Sequence, residues 1–190
     1  MFPISRLAFR YCLGKGIEIG GAIHNQFRLH DCLNVDREKY GFFQKWQEEN
    51  HGKYLPVDIV ALDDELPFKD NVFDYVITSH VIEHFENPIR ALIEWRRVIK
   101  PGGVIFTICP HRNRIPQNFV SKVVTAEFLY RVYLNNVRSM ENKHHYWWTL
   151  QDFLNMVNII NRELKLDMKV VDVQDPDDKV GNGFTVVLKK

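Results

Sequence analysis

The sequence predicts an α/β protein, a three-layer sandwich built on a mostly parallel sheet with one antiparallel strand. Two observations carry that prediction. Short apolar runs alternate with amphipathic stretches along most of the 190 residues, as strand–helix units do. The chain then ends on two strand-like runs joined directly by turn residues, so a C-terminal hairpin closes the sheet. Its length suits a single domain over 1–190, because dividing it would leave two thin cores.

The elements follow in order. Gly16-Ile17-Glu18-Ile19-Gly20 reads as a buried strand running into a glycine turn, and Cys32-Leu33-Asn34-Val35-Asp36 as a strand ending on an acid. Asn25 to Leu33 is short and polar for a helix, so the connection between those strands is expected to be open. Residues 38–50, with Phe42, Phe43 and Trp46, suit a helix. Val57 to Ala61 and Phe73 to Thr78 are the third and fourth strands. Asn87-Pro88 starts a helix, since Asn caps the first turn and Pro at the first position loses no needed N–H. Ile89, Leu92, Ile93 and Ile99 keep helical spacing until Lys100-Pro101-Gly102-Gly103 stops it. Gly103 to Ile108 is the fifth strand. Residues 110–148 form an insertion, expected to hold an amphipathic helix after Ser121 with Val123, Val124, Phe128, Leu129 and Val132, and to act as a lid or recognition element. Thr149 with Asp152 caps the last helix. Asp167 to Gln174 and Phe184 to Leu188 are the hairpin strands, and the tip of their Asp175–Gly183 turn is expected away from the ligand end of the sheet, though the turn can border its mouth.

Composition narrows the function. With 45% hydrophobic and 13% aromatic residues the chain can bury a core. Twenty-five basic against 24 acidic residues give a net charge of +1, which argues against a nucleic-acid polycation. Residues 90–148 are locally basic, a field that would favour a carboxylate- or phosphate-bearing acceptor. No apolar run reaches the roughly 18–20 residues of a membrane span, and the first residues, with Arg6, Arg10 and Lys15, show no signal-peptide core. Cys12, Cys32 and Cys109 are widely spaced, which suits a reducing, cytoplasmic compartment and no Cys-x-x-Cys metal site.

In a sheet of this kind ligands bind beyond the carboxyl ends of the strands. There lie Gly20-Gly21, where a backbone without side chains allows close approach, and Asp36, whose carboxylate can accept two hydrogen bonds from a ribose diol. The ordered set Glu18-Ile19-Gly20-Gly21, Asp36, Leu66-Pro67-Phe68 to Phe73-Asp74, Glu83-His84 and Lys100-Pro101-Gly102-Gly103 resembles the motifs of class I S-adenosylmethionine-dependent methyltransferases, most closely the small type 11 domain. The resemblance spans roughly residues 14–110. It implies a Rossmann-like fold, S-adenosylmethionine as cofactor and methyl transfer as the activity.

By that resemblance Gly20 and Gly21 lie against the methionine and ribose, with Glu18 beneath them. Asp36 holds the ribose hydroxyls, Arg37 covers the adenine edge, Asp63 and Asp64 face the adenine, and Ser79 and His80 border the methionine end. Two departures stand out. Ala22 and His24 occupy later glycine positions of the loop, and Leu62 replaces the acid four residues before Leu66, so Asp63 must serve by a one-residue shift.

Methyl transfer asks for alignment and, for a hydroxyl acceptor, removal of a proton. His111, directly after the fifth strand, and His145, ahead of Tyr146-Trp147-Trp148, are the candidate bases, because imidazole titrates near neutrality. His80, Glu83 and His84 with His144 or His145 have ligand chemistry, but without further carboxylates the sequence assigns no metal. The leading expectation is O-methylation of a small molecule, a sugar or secondary metabolite, with no nucleic-acid or membrane partner. No Asn/Asp-Pro-Pro-Tyr/Phe motif for amide or base methylation follows the fourth strand. The alternatives are N-methylation, a non-catalytic cofactor-binding partner, and an NAD enzyme in which Asp36 serves equally.

Overall fold

The computed structural model describes residues 3–62, 64–115, 124–137 and 144–190. Its sheet contains β1 (Gly16–Ile19), β2 (Cys32–Asp36), β3 (Ile59–Val60), β4 (Phe73–Ser79), β5 (Ile99–Pro110), β6 (Lys169–Gln174) and β7 (Gly183–Lys189). They lie in the order β3-β2-β1-β4-β5-β7-β6. The pairs from β3 through β5 are parallel, and β7 runs antiparallel to both β5 and β6. The single reversed strand is thus the last one, as the terminal hairpin predicts. The order reverses between β1 and β4, and the crevice of such a sheet opens at that switch point.

The helices are α1 (Arg6–Tyr11), α2 (Phe42–His51), α3 (Pro88–Val98), α4 (Ala126–Leu134) and α5 (Leu150–Leu164). On one face of the sheet Ile17, Ile19, Val76 and Ile105 pack with Trp95 of α3 and Phe153 and Val157 of α5. On the other, Tyr75, Ile77, Phe106 and Ile108 pack with Ala8 of α1 and Phe27. Residues of β4 and β5 alternate between the two cores, as a period of two requires. Helix α3 begins as its sequence dictates, with Asn87 Oδ1 accepting from Arg90 N at 3.1 Å. At α5, Thr149 Oγ1 accepts from Asp152 N at 3.2 Å and Thr149 N donates back to Asp152 Oδ2 at 2.9 Å.

Several elements differ from expectation. Helix α1 is absent from the sequence reading because its six residues bury only Ala8 and leave no periodic stripe. The third strand shrinks to Ile59–Val60, at the sheet edge. The fifth lengthens backward to Ile99 because Phe73 pairs with Ile99 and Tyr75 with Val104, so the Lys100–Gly103 run bulges from the strand. The connection from β1 to β2 has no helix, as expected. The insertion helix starts at Ala126, capped by Thr125, and buries Leu129 while Phe128 is exposed. It packs on α5 and α3. Ser121 and Val123, placed by expectation at its start, lie outside the described residues. Among the described residues no helix is long and apolar enough to cross a membrane.

Candidate active site

Four chain segments meet at the C-terminal ends of β1, β2 and β4. The first is the turn after β1. Gly20 has φ +65°, in the left-handed region, and its N–H donates to Val35 O at 2.9 Å. A Cβ there would lie 2.7 Å from Val81 Cγ2, and one on Gly21 would lie 2.5 Å from Asn34 Oδ1. Gly21 N donates to that same oxygen at 3.1 Å, and Asn34 Nδ2 donates to Pro56 O at 2.8 Å. Packing therefore fixes both glycines, and backbone conformation fixes Gly20 as well.

The second segment carries Asp36. One carboxylate oxygen accepts from Arg37 N at 2.7 Å and the other from Gln44 Nε2 of α2 at 2.8 Å. Burial raises its pKa, opposed by those two bonds. Gln47, one turn on, accepts from Ile23 N at 2.7 Å and Leu55 N at 3.2 Å. The sequence reading missed Gln44 and Gln47. Their signal was two amides three apart on a helix face that should have been apolar. Glu18 lies in β1, and burial pushes its pKa up to about 8 against the opposing charge of Lys179.

That lysine belongs to the turn between β6 and β7. Lys179 is 1% exposed, and its Nζ donates to Gln26 O at 2.9 Å and Pro3 O at 3.1 Å and stands 4.9 Å above the Phe27 ring. Asp177 folds the turn inward. Its carboxylate accepts from the N–H groups of Lys179, Val180, Gly181 and Gly183. Burial would raise its pKa, but those bonds outweigh it and the net direction is down.

The third segment follows β3. Asp64 Oδ2 accepts from Arg90 Nε at 3.0 Å, and Asp63 lies outside the described residues. The Leu66-Pro67-Phe68 run is held from α3. Leu66 N donates to Glu94 Oε1 at 2.7 Å, and Arg97 donates to Phe68 O at 2.8 Å and Leu66 O at 3.1 Å. The expected basic field over 90–148 is largely neutralised locally. Arg90, Arg97, Lys100, Arg112 and Arg114 pair with Asp64, Asp70, Asp74, Asp152 and Asp175 respectively, all five of them acids from outside that stretch.

The fourth segment runs from Ser79 to His84. Ser79 Oγ accepts from Asn25 Nδ2 at 2.9 Å, joining the ends of β4 and the β1 loop. His80 has φ +56° and a buried Nε2 without a partner. Burial pulls its pKa down to about 4. Ile82–His84 is one 3-10 turn and His80 precedes it. Glu83 is fully buried, neither carboxylate oxygen has a partner, and burial pushes its pKa up to about 8. Against this turn lies 144–146. His145 N donates to Glu83 O at 2.8 Å and Tyr146 Oη to Glu86 O at 2.7 Å. His145 Nε2 and His144 Nδ1 are buried without partners, and burial pulls the His144 pKa down to about 4.

His111 stands apart from that group. Its Nδ1 accepts from Asn113 N at 3.1 Å and so carries no proton, its Nε2 lies 3.9 Å from Asp175 Oδ2, and its ring meets Phe184 edge-on at 6.0 Å. Burial lowers its pKa.

A glycine turn after the first strand, an acid after the second and a polar turn after the fourth lie together at the switch point, where a sheet of this kind takes its ligand. A sequence profile of the family described as "Methyltransferase domain" matches residues 14–107. The chain belongs to the class I S-adenosylmethionine-dependent methyltransferases. The methyl donor of these methyltransferases, S-adenosylmethionine, is its cofactor. The residues present fit that donor. Asp36 keeps spare acceptor capacity after its two bonds, since a carboxylate offers about four lone-pair sites. Asn25 Oδ1 and His80 Nε2 are buried polar atoms without partners beside the glycine turn and Ser79.

Over 95 residues the methyltransferase chain is 33% identical to an uncharacterized protein of Methanocaldococcus jannaschii, covering 48% of this chain and 42% of that one. Over 59 residues it is 39% identical to a ubiquinone biosynthesis O-methyltransferase of Roseobacter denitrificans, covering 31% and 23%. It spans less than half the length of either relative. A crystal structure of an S-adenosylmethionine-dependent methyltransferase from Thermotoga maritima shares the fold, with a TM-score of 0.58 at 18% identity, covering 94% of this chain and 82% of the other.

Proposed function

We propose that this methyltransferase moves the methyl group of S-adenosylmethionine to a hydroxyl oxygen of a small molecule, a sugar or secondary metabolite. The observation that supports an oxygen acceptor is the group of buried ring nitrogens without partners, His80 Nε2, His144 Nδ1 and His145 Nε2, around the turn after β4. A hydroxyl must give up a proton as it is methylated, and imidazole is suited to take it. An amine that arrives neutral asks for no such group.

In this reading the Gly20-Gly21 turn lies against methionine and ribose with Glu18 beneath it. Asp36 clasps the ribose hydroxyls. Arg37, Asp63 and Asp64 border the adenine, and Ser79 and His80 the methionine end. The bound donor supplies a methyl carbon already activated by its sulfonium. His145 Nε2 takes the acceptor proton as the oxygen–carbon bond forms and the carbon–sulfur bond breaks, its electron pair passing to sulfur. His145 is preferred to His111 because both ring nitrogens of His111 face protein groups, a backbone N–H and Asp175. His145, Tyr146 and Trp147, at the described end of the 110–148 insertion, form the acceptor wall. Cytoplasmic residence accords with three free cysteines, two of them buried. No nucleic-acid or membrane partner is proposed.

Calorimetry with S-adenosylhomocysteine tests the donor site, and its release from S-adenosylmethionine over a panel of hydroxyl and amine acceptors tests the acceptor. Binding with turnover on hydroxyls is expected. No heat from folded protein overturns the whole reading; turnover on amines alone overturns the oxygen assignment.

A further inference from the structure

Glu83, His84 and His144 each offer one ligand atom, and these three atoms lie within 4.8 Å of one another. We propose that they bind a divalent transition-metal ion, which holds the oxygen of the acceptor. The ion's role rests on the O-methylation reading; its binding does not.

Glu83 is the strongest indication. Its side chain is 0% exposed, and neither oxygen meets a donor or an acceptor. Protonation alone does not remove that cost, because a neutral carboxyl would bring a hydroxyl that also lacks an acceptor. The His80 imidazole stands with Nδ1 3.8 Å from Oε1, outside hydrogen-bond range. A cation between the carboxylate and the imidazoles satisfies the group outright.

His144 adds a second indication. Its Nδ1 is buried without a partner, while its ring is held edge-on to His84 at 4.4 Å and against Trp147 at 4.1 Å. The two ligand-bearing segments are tied directly together, through His145 N to Glu83 O at 2.8 Å and Tyr146 Oη to Glu86 O at 2.7 Å. Ligand atoms about 2.1 Å from one ion sit roughly 3–3.5 Å apart, so the trio must close by about 1 Å. Imidazole rotation supplies that without moving either backbone. His80, beside Glu83, is placed to orient the carboxylate.

One carboxylate and two imidazoles select an ion of borderline softness such as Zn²⁺, Mn²⁺ or Co²⁺, and leave coordination positions for acceptor oxygens. A hydroxyl bound there becomes more acidic, which eases proton transfer to His145. The class of acceptor this favours is a vicinal diol or a catechol, whose paired oxygens chelate.

The test uses chelator-stripped protein titrated with Co²⁺ alone. One equivalent should produce visible d–d bands that Zn²⁺ competes away. Glu83→Gln and His144→Ala should each weaken uptake by more than about tenfold while far-UV circular dichroism and S-adenosylhomocysteine binding persist. His30→Ala, at an exposed histidine, should leave uptake unchanged. No saturable Co²⁺, Zn²⁺ or Mn²⁺ uptake overturns the proposal, as does unchanged uptake in both folded variants. Co²⁺ uptake without S-adenosylhomocysteine binding upholds the ion site and removes the methyl-transfer reading. The reverse result removes the ion and leaves that reading standing.

Discussion

The two halves of the crevice are built on opposite terms. On the proposed donor side most of the polar groups that shape the site hold one another: Asp36 with Arg37 N and Gln44, Asn34 with Gly21 N and Pro56 O, Gln47 Oε1 with Ile23 N and Leu55 N, while Gln47 Nε2 and Asn25 Oδ1 stay unmet. On the proposed acceptor side Glu83, His144 and His145 bury polar atoms that no hydrogen-bonding group meets. A preformed donor site loses little order when its ligand arrives. The acceptor side instead carries an unmet desolvation cost that a ligand or an ion removes on binding. The difference predicts that donor-side substitutions will act on affinity and acceptor-side ones on turnover.

The largest effect should separate the halves outright. His145→Ala keeps the backbone bond to Glu83 O and removes only the ring. Turnover should fall by about 10²–10⁴ with donor affinity intact, the range of general-base loss. Equal loss of donor binding would show that the halves are not independent. Next comes Gly20→Val. A left-handed φ of +65° costs an L-residue roughly 1–2 kcal/mol, and its Cβ meets Val81. Donor binding should fall by about a hundredfold or more, with a lowered melting temperature. Asp36→Ala deletes the ribose contact and strands Gln44, so donor affinity should drop by about ten- to a hundredfold while kcat at saturation changes little.

How far the sequence reveals each half follows from the same contrast. The strands and the α3 and α5 caps were legible because apolar period and capping chemistry are local. Asn87 with Pro88 and Thr149 with Asp152 act within one turn. Gly20 and Asp36 were legible through the order of the motifs. Gln44 reaching back to Asp36 and Lys179 reaching across to Gln26 were not, since both are contacts between elements that only the folded sheet brings together. His111 and His145 looked equivalent in the sequence, each a histidine near a strand or helix end. Only the structure separates a ring whose nitrogens both face protein groups from one with an unpartnered nitrogen.

Glu18 offers a titration of the donor half. Its folded pKa, raised by burial to about 8, lies above its unfolded value, so the stability it confers is full below about pH 4.5 and is lost as pH rises through about 8. Over that window the loss approaches roughly 1.4 kcal/mol per pH unit. Glu18→Gln stays neutral throughout. The difference in stability between variant and wild type, from urea melts, should therefore grow from pH 5 to pH 8 in the variant's favour. A flat difference would mean that Lys179 stabilises the carboxylate despite its burial.

The smallest effect sharpens the comparison from the acceptor side. His111 Nδ1 ends the chain's exit from β5 by accepting from Asn113 N, so His111→Ala should cost about 1 kcal/mol of stability, the worth of an end cap. Its turnover should fall far less than that of His145→Ala. The two variants differ in a physical respect that assays can read: one removes a ring already bound to the backbone, the other a ring with a nitrogen still to be met. If His111→Ala proves the slower enzyme, the proton leaves toward Asp175 and the β7 side of the crevice, and the unmet groups around Glu83 serve binding alone.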